Sequence, residues 1–382
     1  MTLGAYIQVP FCQSKCTYCN FHTGVVARER YQPYAEAVCR EIAASVSGGA
    51  PVVDTVYVGG GTPSLLDPAA LAHILDALRA AYRVEAEEIT LEADPETVTP
   101  AKAAAWRAAG FDRVSLGAQS FHDTELRAAG RMHRREDIFA AVDLLRTAGF
   151  RNTSLDLIAG LPHQTPKSWE ESVSQLLRIY PEHVSIYLME IDEGSRLGRE
   201  ALEGGQRYSA GALPSDDAMA DFYESACRRL AEAGYEHYEI SNWALPGRRS
   251  RHNLKYWRRD PYLGLGAGAH SFDGSVRWAN VHDAARYVRI LEQGSSPREQ
   301  FDPLTPLQAL QEELFLGLRQ IEGIDFGRIE RQYAELGDRL AQLHERIERL
   351  RAQGLLQTEG TCLRLAPNKL TVSNEALVEL LG

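Results

Sequence analysis

Along the first half of the chain, short apolar runs recur between amphipathic stretches in a regular order. The short runs predict strands over residues 4–9, 53–58, 87–92, 113–117, 153–158 and 183–188. Between them, helical spacing of apolar positions predicts helices over Tyr34–Ser47, Pro68–Tyr82, Pro100–Ala109, Arg135–Ala148 and Lys167–Ile179. Thr99-Pro100 supplies a helix start, while Gly110 and Gly149 follow helix ends. Six strand–helix units in succession predict a parallel sheet covered by helices. They are too few to close an eight-stranded barrel. The expected fold class is therefore α/β, a partial (β/α)6 barrel with an open mouth.

After about residue 235 the pattern changes. Residues 241–285 are rich in aromatics, arginines and glycines and show no strand–helix alternation. Residues 328–350 predict one long amphipathic helix with Ile329, Tyr333, Leu336, Leu340, Leu343, Ile347 and Leu350 on one stripe. Residues 355–357 and 362–365 flank Glu359-Gly360 as a hairpin, and Ser373 is placed to cap a last helix reaching Leu381. The expected division is a core over 1–235 and a mostly helical α+β domain over 236–382 with a winged-helix-like hairpin. A winged helix would suit a DNA reader. Here the hairpin tip carries Glu359 and the net charge is −11, which argues against nucleic acid as a partner.

Composition adds little to this picture. At 382 residues, with 44% hydrophobic and 24% charged positions, the chain reads as an ordinary globular protein with room for two units. No apolar run approaches the roughly 18 residues that cross a bilayer, so no transmembrane segment is expected. The N-terminus lacks a basic-then-apolar export pattern, and the expected location is cytoplasmic. Cys39, Cys227 and Cys362 stand alone and suit reduced thiols.

The other three cysteines change the picture. Cys12, Cys16 and Cys19 form a C-x3-C-x2-C run directly after the first strand. That spacing can wrap three thiolates round a four-iron cluster and leave one iron open. It also admits a zinc knuckle with His22 as fourth ligand. Gly59-Gly60-Gly61-Thr62-Pro63 follows the second strand, where glycines permit close backbone approach to a ligand. Glu92, Gln119 and Asp156 each lie at or near the end of a strand, and Arg131 follows the Gln119 stretch by a short loop. Any one of them reads equally well as a helix cap or a solvated charge. Together, in successive units, they point to a ligand site at the strand ends.

A second concentration of chemistry lies at 248–259. Arg248, Arg249, Arg251, Lys255, Arg258 and Arg259 crowd beside His252, Tyr256 and Trp257. Imidazole, stacking rings and guanidinium groups would suit a flat apolar ligand bearing carboxylates. A basic run is more commonly a solvated face.

The cysteine run, the glycine turn and the strand-end residues together resemble the radical S-adenosylmethionine superfamily. His252-Asn253-Leu254-Lys255-Tyr256-Trp257 resembles the HNxxYW signature of the HemW heme chaperones, relatives of the oxygen-independent coproporphyrinogen dehydrogenase. The resemblance runs from Tyr6 to residues 370–374 and includes Phe315–Arg319 and Glu322-Gly323. It implies a 4Fe–4S cluster on Cys12, Cys16 and Cys19. It implies S-adenosylmethionine among Tyr6, Gly60, Gly61, Thr62, Glu92, Gln119, Arg131 and Asp156. Heme would lie at His252, Tyr256 and Trp257, with His22, His133, His163 and His270 as reserve ligands.

The implied function is binding of heme and its transfer to acceptor hemoproteins such as respiratory enzymes, with a peripheral membrane encounter and no assigned catalytic residue. The alternative is a radical oxidative decarboxylase acting on coproporphyrinogen III. Two departures separate the sequence from that enzyme: Phe21 stands where it has a further cysteine, and its long extension ahead of the cluster motif has no counterpart before Cys12. A third departure concerns the chaperones, which often have a cysteine where this chain has Ser250.

Overall fold

The computed structural model describes residues 2–46 and 51–382. Six parallel strands run side by side in chain order at its centre: β1 (Thr2–Val9), β2 (Val52–Gly60), β3 (Arg83–Ala93), β4 (Arg113–Gln119), β5 (Thr153–Ala159) and β6 (His183–Leu188). All six expected strands are present, with ends a few residues longer in places. Their crossovers carry α1 (Tyr31–Ala44), α2 (Pro68–Ala81), α3 (Pro100–Ala109), α4 (Asp123–Ala128), α5 (Arg135–Thr147) and α6 (Pro166–Ile179). The expected helix end at Ser47 lies outside the described residues. Thr99 caps α3 by accepting from the Lys102 amide at 3.2 Å, and Thr165 caps α6 in the same way. The architecture is the expected α/β partial barrel, its outer helices packed against a sheet buried on both faces.

Beyond β6 come α7 (Arg196–Leu202), α8 (Asp216–Glu232), β7 (Glu236–Glu239), β8 (Asn242–Ala244) and α9 (Arg251–Trp257). Then follow β9 (Tyr262–Leu265), β10 (His270–Phe272), β11 (Val276–Asn280), α10 (Ala284–Glu292) and β12 (Arg298–Pro303). These strands extend the sheet at both edges, giving the order β12-β11-β10-β9-β1-β2-β3-β4-β5-β6-β8-β7. Residues 236–303, expected in the C-terminal unit, thus complete the main sheet. Strands only three to five residues long show no alternation to read from sequence.

The remaining residues form α11 (Pro306–Gly317), β13 (Ile324–Asp325), α12 (Phe326–Gln332), α13 (Gly337–Ala352), β14 (Leu356–Glu359), β15 (Cys362–Leu365) and α14 (Ser373–Leu381). The hairpin is present and pairs with β13 in the order β13-β15-β14. The single helix expected over 328–350 is broken between Tyr333 and Gly337. Gly337 adopts φ +32° there, and the Tyr333 hydroxyl bonds Glu313 at 2.8 Å. Ser373 begins α14 without capping it.

Candidate functional site

The turn after β1 is built to present its cysteines. Phe11 pairs with Gly24 as an isolated bridge, and the Cys12 amide donates to the Gly24 carbonyl at 3.0 Å, pinching residues 12–23 into a closed loop. The loop is tied down by Thr17, whose amide donates to the Ala129 carbonyl at 3.0 Å, and by Ser14, which donates to the Gly130 carbonyl at 3.3 Å. Cys12, Cys16 and Cys19 all face one cavity of about 420 Å³ at the carboxyl ends of the strands.

The same cavity gathers Gly60, Gly61, Thr62, Glu92, Gln119, Arg131 and Asp156. Seven of the eight residues expected around S-adenosylmethionine therefore meet the three thiols. Tyr6 stands behind them, stacked on Tyr57 at 6.0 Å between ring centres. Asp94, Ser115 and Gly117 also line the cavity and were not singled out from sequence. Asp94 had a signal: it follows Glu92 by two positions, just beyond the end of the same strand, and so continues its face. It accepts from Thr62 at 3.0 Å and pairs with Arg131.

Charge is organised around Arg131. Its guanidinium reaches Asp94, the Gly117 carbonyl at 2.8 Å and the Cys16 sulfur at 3.5 Å. Glu92 reaches the cavity but is otherwise enclosed, and burial pushes its carboxyl up to about 7 despite donors from Tyr57 and the Gly60 amide. Burial likewise raises Asp156.

The donor set fits an iron–sulfur cluster. Burial pushes the Cys12 and Cys19 thiols up, favouring their neutral form, and a bound cation would offset this by stabilising the ionised, ligating form. A Cβ on Gly61 would come 2.5 Å from the Phe11 carbonyl oxygen and 3.0 Å from the Cys12 sulfur, so only glycine leaves this approach open.

The 248–259 segment sits elsewhere. His252 is 1% exposed, and both ring nitrogens have partners: Thr55 at 3.0 Å and Tyr256 at 2.9 Å. Burial pushes its pKa down to about 3, with Lys255 and Arg113 adding to the effect. Glu88 of β3 accepts from the Arg251 and His252 amides at 3.0 and 3.1 Å, clamping the start of α9 onto the sheet. Thr55 lies near the start of β2 and Gly60 at its end, about 16 Å apart at about 3.3 Å per residue. The HNxxYW segment thus plugs the strand end opposite the cysteine-lined cavity.

The cations expected to hold carboxylates are largely engaged already. Arg249 pairs with Glu236 and Glu322, Arg251 with Glu87, Lys255 with Asp54, and Arg259 with Glu312. Trp257 lies under the Arg319 guanidinium at 4.8 Å. As arranged, His252, Tyr256 and Trp257 form a packed buttress, with both His252 ring nitrogens engaged by protein partners. Ser250 is buried and caps α9. Among the reserve histidines, His133 is also buried, bonded to the Ala118 carbonyl at 3.1 Å.

Comparison with known proteins follows the same division. Residues 6–176 match the Radical SAM superfamily, and residues 304–368 match the HemN C-terminal domain. The chain is 32% identical to heme chaperone HemW of Bacillus subtilis, with 99% of each chain covered. It belongs to the HemW heme chaperone family. Heme chaperone HemW of Mycobacterium tuberculosis is 36% identical over 99% of this chain and 95% of its own. A bovine mitochondrial relative, radical S-adenosyl methionine domain-containing protein 1, is 34% identical over 99% of this chain and 87% of its own. The solved coproporphyrinogen III oxidase (HemN) of Escherichia coli superposes with a TM-score of 0.84 at 24% identity, covering 99% of this chain and 89% of that one. That likeness establishes the shared fold. Among the described residues no helix is long and apolar enough to cross a membrane.

Proposed function

We propose that this protein carries heme and hands it to acceptor hemoproteins, using a radical S-adenosylmethionine scaffold that holds a 4Fe–4S cluster. The observation that carries this reading is the match, along nearly the whole chain, to proteins named as heme chaperones. Cys12, Cys16 and Cys19 would hold the cluster. Gly60, Gly61, Thr62, Glu92, Gln119, Arg131 and Asp156 would line the S-adenosylmethionine site, with Tyr6 behind them. When bound, the cluster and S-adenosylmethionine supply an electron-transfer centre and a reducible sulfonium. The chain's own part is to hold them. Arg131 steadies the Cys16 sulfur and Asp94 together, Glu92 offers a carboxylate toward a cation, and the Phe11–Gly24 bridge keeps the loop closed.

The acceptors are read as respiratory hemoproteins met at a membrane surface from the cytoplasm. The test is a heme titration of anaerobically reconstituted protein, followed by Soret difference absorbance, with transfer to an apo-hemoprotein as second readout. Saturable one-to-one binding and transfer support carriage. No saturable binding, or decarboxylation of coproporphyrinogen III coupled to 5′-deoxyadenosine, would replace carriage with the enzyme reading.

A further inference from the structure

Beside the cluster loop lies a second and larger concavity, of about 1100 Å³. Its inner wall is the base of the loop and the start of the first crossover, with Phe11, Phe21, Val26 and Tyr34. Its outer wall is the segment from His282 to Arg289 at the start of α10. The inner wall is aromatic. Phe11 stacks on Tyr31 at 4.9 Å and meets Tyr34 edge-on at 4.9 Å, while Phe21 is 66% exposed. A large exposed phenyl ring at the mouth of an apolar groove is a ligand surface more readily than a packing element.

Two histidines, His22 and His282, line this groove, and a third, His270, lies behind His282. The His22 and His282 rings are 4.4 Å apart, and His270 lies 6.4 Å from His282. All three are exposed, and among the described residues none of their ring nitrogens makes a hydrogen bond or an ion pair. This is the reverse of His252, whose two nitrogens are both occupied in the interior. Lys15, Arg30 and Arg289 border the same groove. No carboxylate lies within ion-pair distance of any of them among the described residues, in contrast to the cations of the 248–259 segment. Two acids also line it: Asp283 is engaged at the α10 cap, accepting from the Arg286 amide at 2.6 Å, and Glu29 is exposed.

We propose that this groove is the heme seat, with His282 as axial ligand. The inference rests on the heme-carrier reading and names its site. Heme is a flat apolar ligand with an iron that takes imidazole and two carboxylates that pair with cations. The groove offers each of these with the partner groups open. Binding forms one coordination bond between the His282 imidazole and iron, with no covalent link to the ring and no redox change. His282 is held firmly for this, because the neighbouring Val281 amide donates to the Pro297 carbonyl at 2.9 Å and its carbonyl accepts from Gly268 at 2.9 Å. His22 stands beside it on the cluster loop.

The position couples the cargo to the cofactor. Lys15, Asn20, Phe21 and Thr23 border both the groove and the cofactor cavity, so one loop forms the partition between them. Ordering of that loop by a bound cluster would set the width of the groove.

The experiment is hemin titration of the full-length, cluster-reconstituted protein, with heme counted by pyridine hemochrome and axial ligation read by near-infrared magnetic circular dichroism. Native protein is expected to bind one heme. His282→Ala is expected to weaken binding at least about tenfold and to change the ligation signature. The Arg30→Glu and Arg289→Glu double variant changes only exposed side chains and is expected to weaken binding severalfold at unchanged melting temperature and iron content. His73→Ala, an exposed histidine on α2, should bind as the native protein does. If native protein binds one heme while the His282 and double variants bind it equally well, the groove is wrong and heme carriage stands. If native protein binds none, both fall. Should His282→Ala lose its fold, the double variant decides alone.

Discussion

The Tyr57 hydroxyl donates to Glu92 at 2.7 Å, linking the middle of the barrel to the cysteine-lined cavity at its mouth. The other Glu92 oxygen accepts from the Gly60 amide at 2.9 Å, so one carboxylate ties β2 to β3 beside the glycine turn. Burial holds its pKa at about 7, above the ordinary 4.5. The folded, empty protein therefore keeps Glu92 protonated below that pH. Its contribution to stability declines as pH rises from about 4.5 to 7 and is then constant.

Affinity for S-adenosylmethionine, a cation, should run the opposite way. Binding to reconstituted protein is expected to tighten severalfold from pH 6 to 7.5 and then level off. Glu92→Gln should flatten this profile and weaken binding at pH 8. Equilibrium dialysis across the range measures it, and a native profile without slope would remove Glu92 from the site.

His252 gives the second pH prediction. Its pKa falls from 6.5 to about 3 on folding, so protonation opposes the fold. The sign is that of a depressed base: stability is complete above pH 6.5 and drains as pH falls toward 3. At about 1.4 kcal/mol per pH unit, roughly 2 kcal/mol should be lost by pH 5, with buried His183 and half-buried His237 adding in the same direction. His252→Gln is expected to show a shallower acid limb in denaturant melts. It should also be less stable at pH 8 by about 2–3 kcal/mol, since Thr55 and Tyr256 lose their fitted partner.

Arg131 is a buried charge with three partners, and its loss should be costly. Arg131→Met leaves the largely buried Asp94 carboxylate without its ion pair, at an expected cost of about 3 kcal/mol. Arg131→Lys keeps the charge without the planar fork that spans Asp94 and the Gly117 carbonyl. It should fold but retain less cluster. Iron and sulfide analysis beside thermal melts separates the two effects, and full cluster content in the lysine variant would deny Arg131 its positioning role.

The sequence already exposed the six central units, because each is a local pattern: an apolar run, a loop, an amphipathic helix with its caps. The residues that line the cavity beside the cysteines were legible for the same reason, since they lie at or just beyond ends of strands that could be read individually. What escaped was everything decided by distant partners. Lys255 reads as a free cation until Asp54, two hundred residues away, is seen beside it. The Thr55 hydroxyl on one His252 ring nitrogen comes from a strand nearly two hundred residues earlier and is equally invisible in the sequence. The His22–His282 pair is equally non-local, since it joins the cluster loop to the start of α10.

Gly61 tests how tightly the turn after β2 and the cluster loop are fitted together. Its amide donates to the Val9 carbonyl at 2.8 Å, and the next amide, of Thr62, donates to the Phe11 carbonyl at 2.7 Å. A Cβ here would press on that same Phe11 carbonyl and on the Cys12 sulfur. Backbone cannot swing aside as a flexible side chain can, so relief must come from moving the loop. Gly61→Ala is therefore expected to fold with a destabilisation of about 1–3 kcal/mol and to hold well under half the native cluster iron after reconstitution. Gly149→Ala is the contrasting control. It is strained by a φ of +95° but has nothing within 4 Å of the added carbon, so it should lose stability and keep its iron. Equal iron content in the two variants would mean that the turn does not shape the cysteine loop.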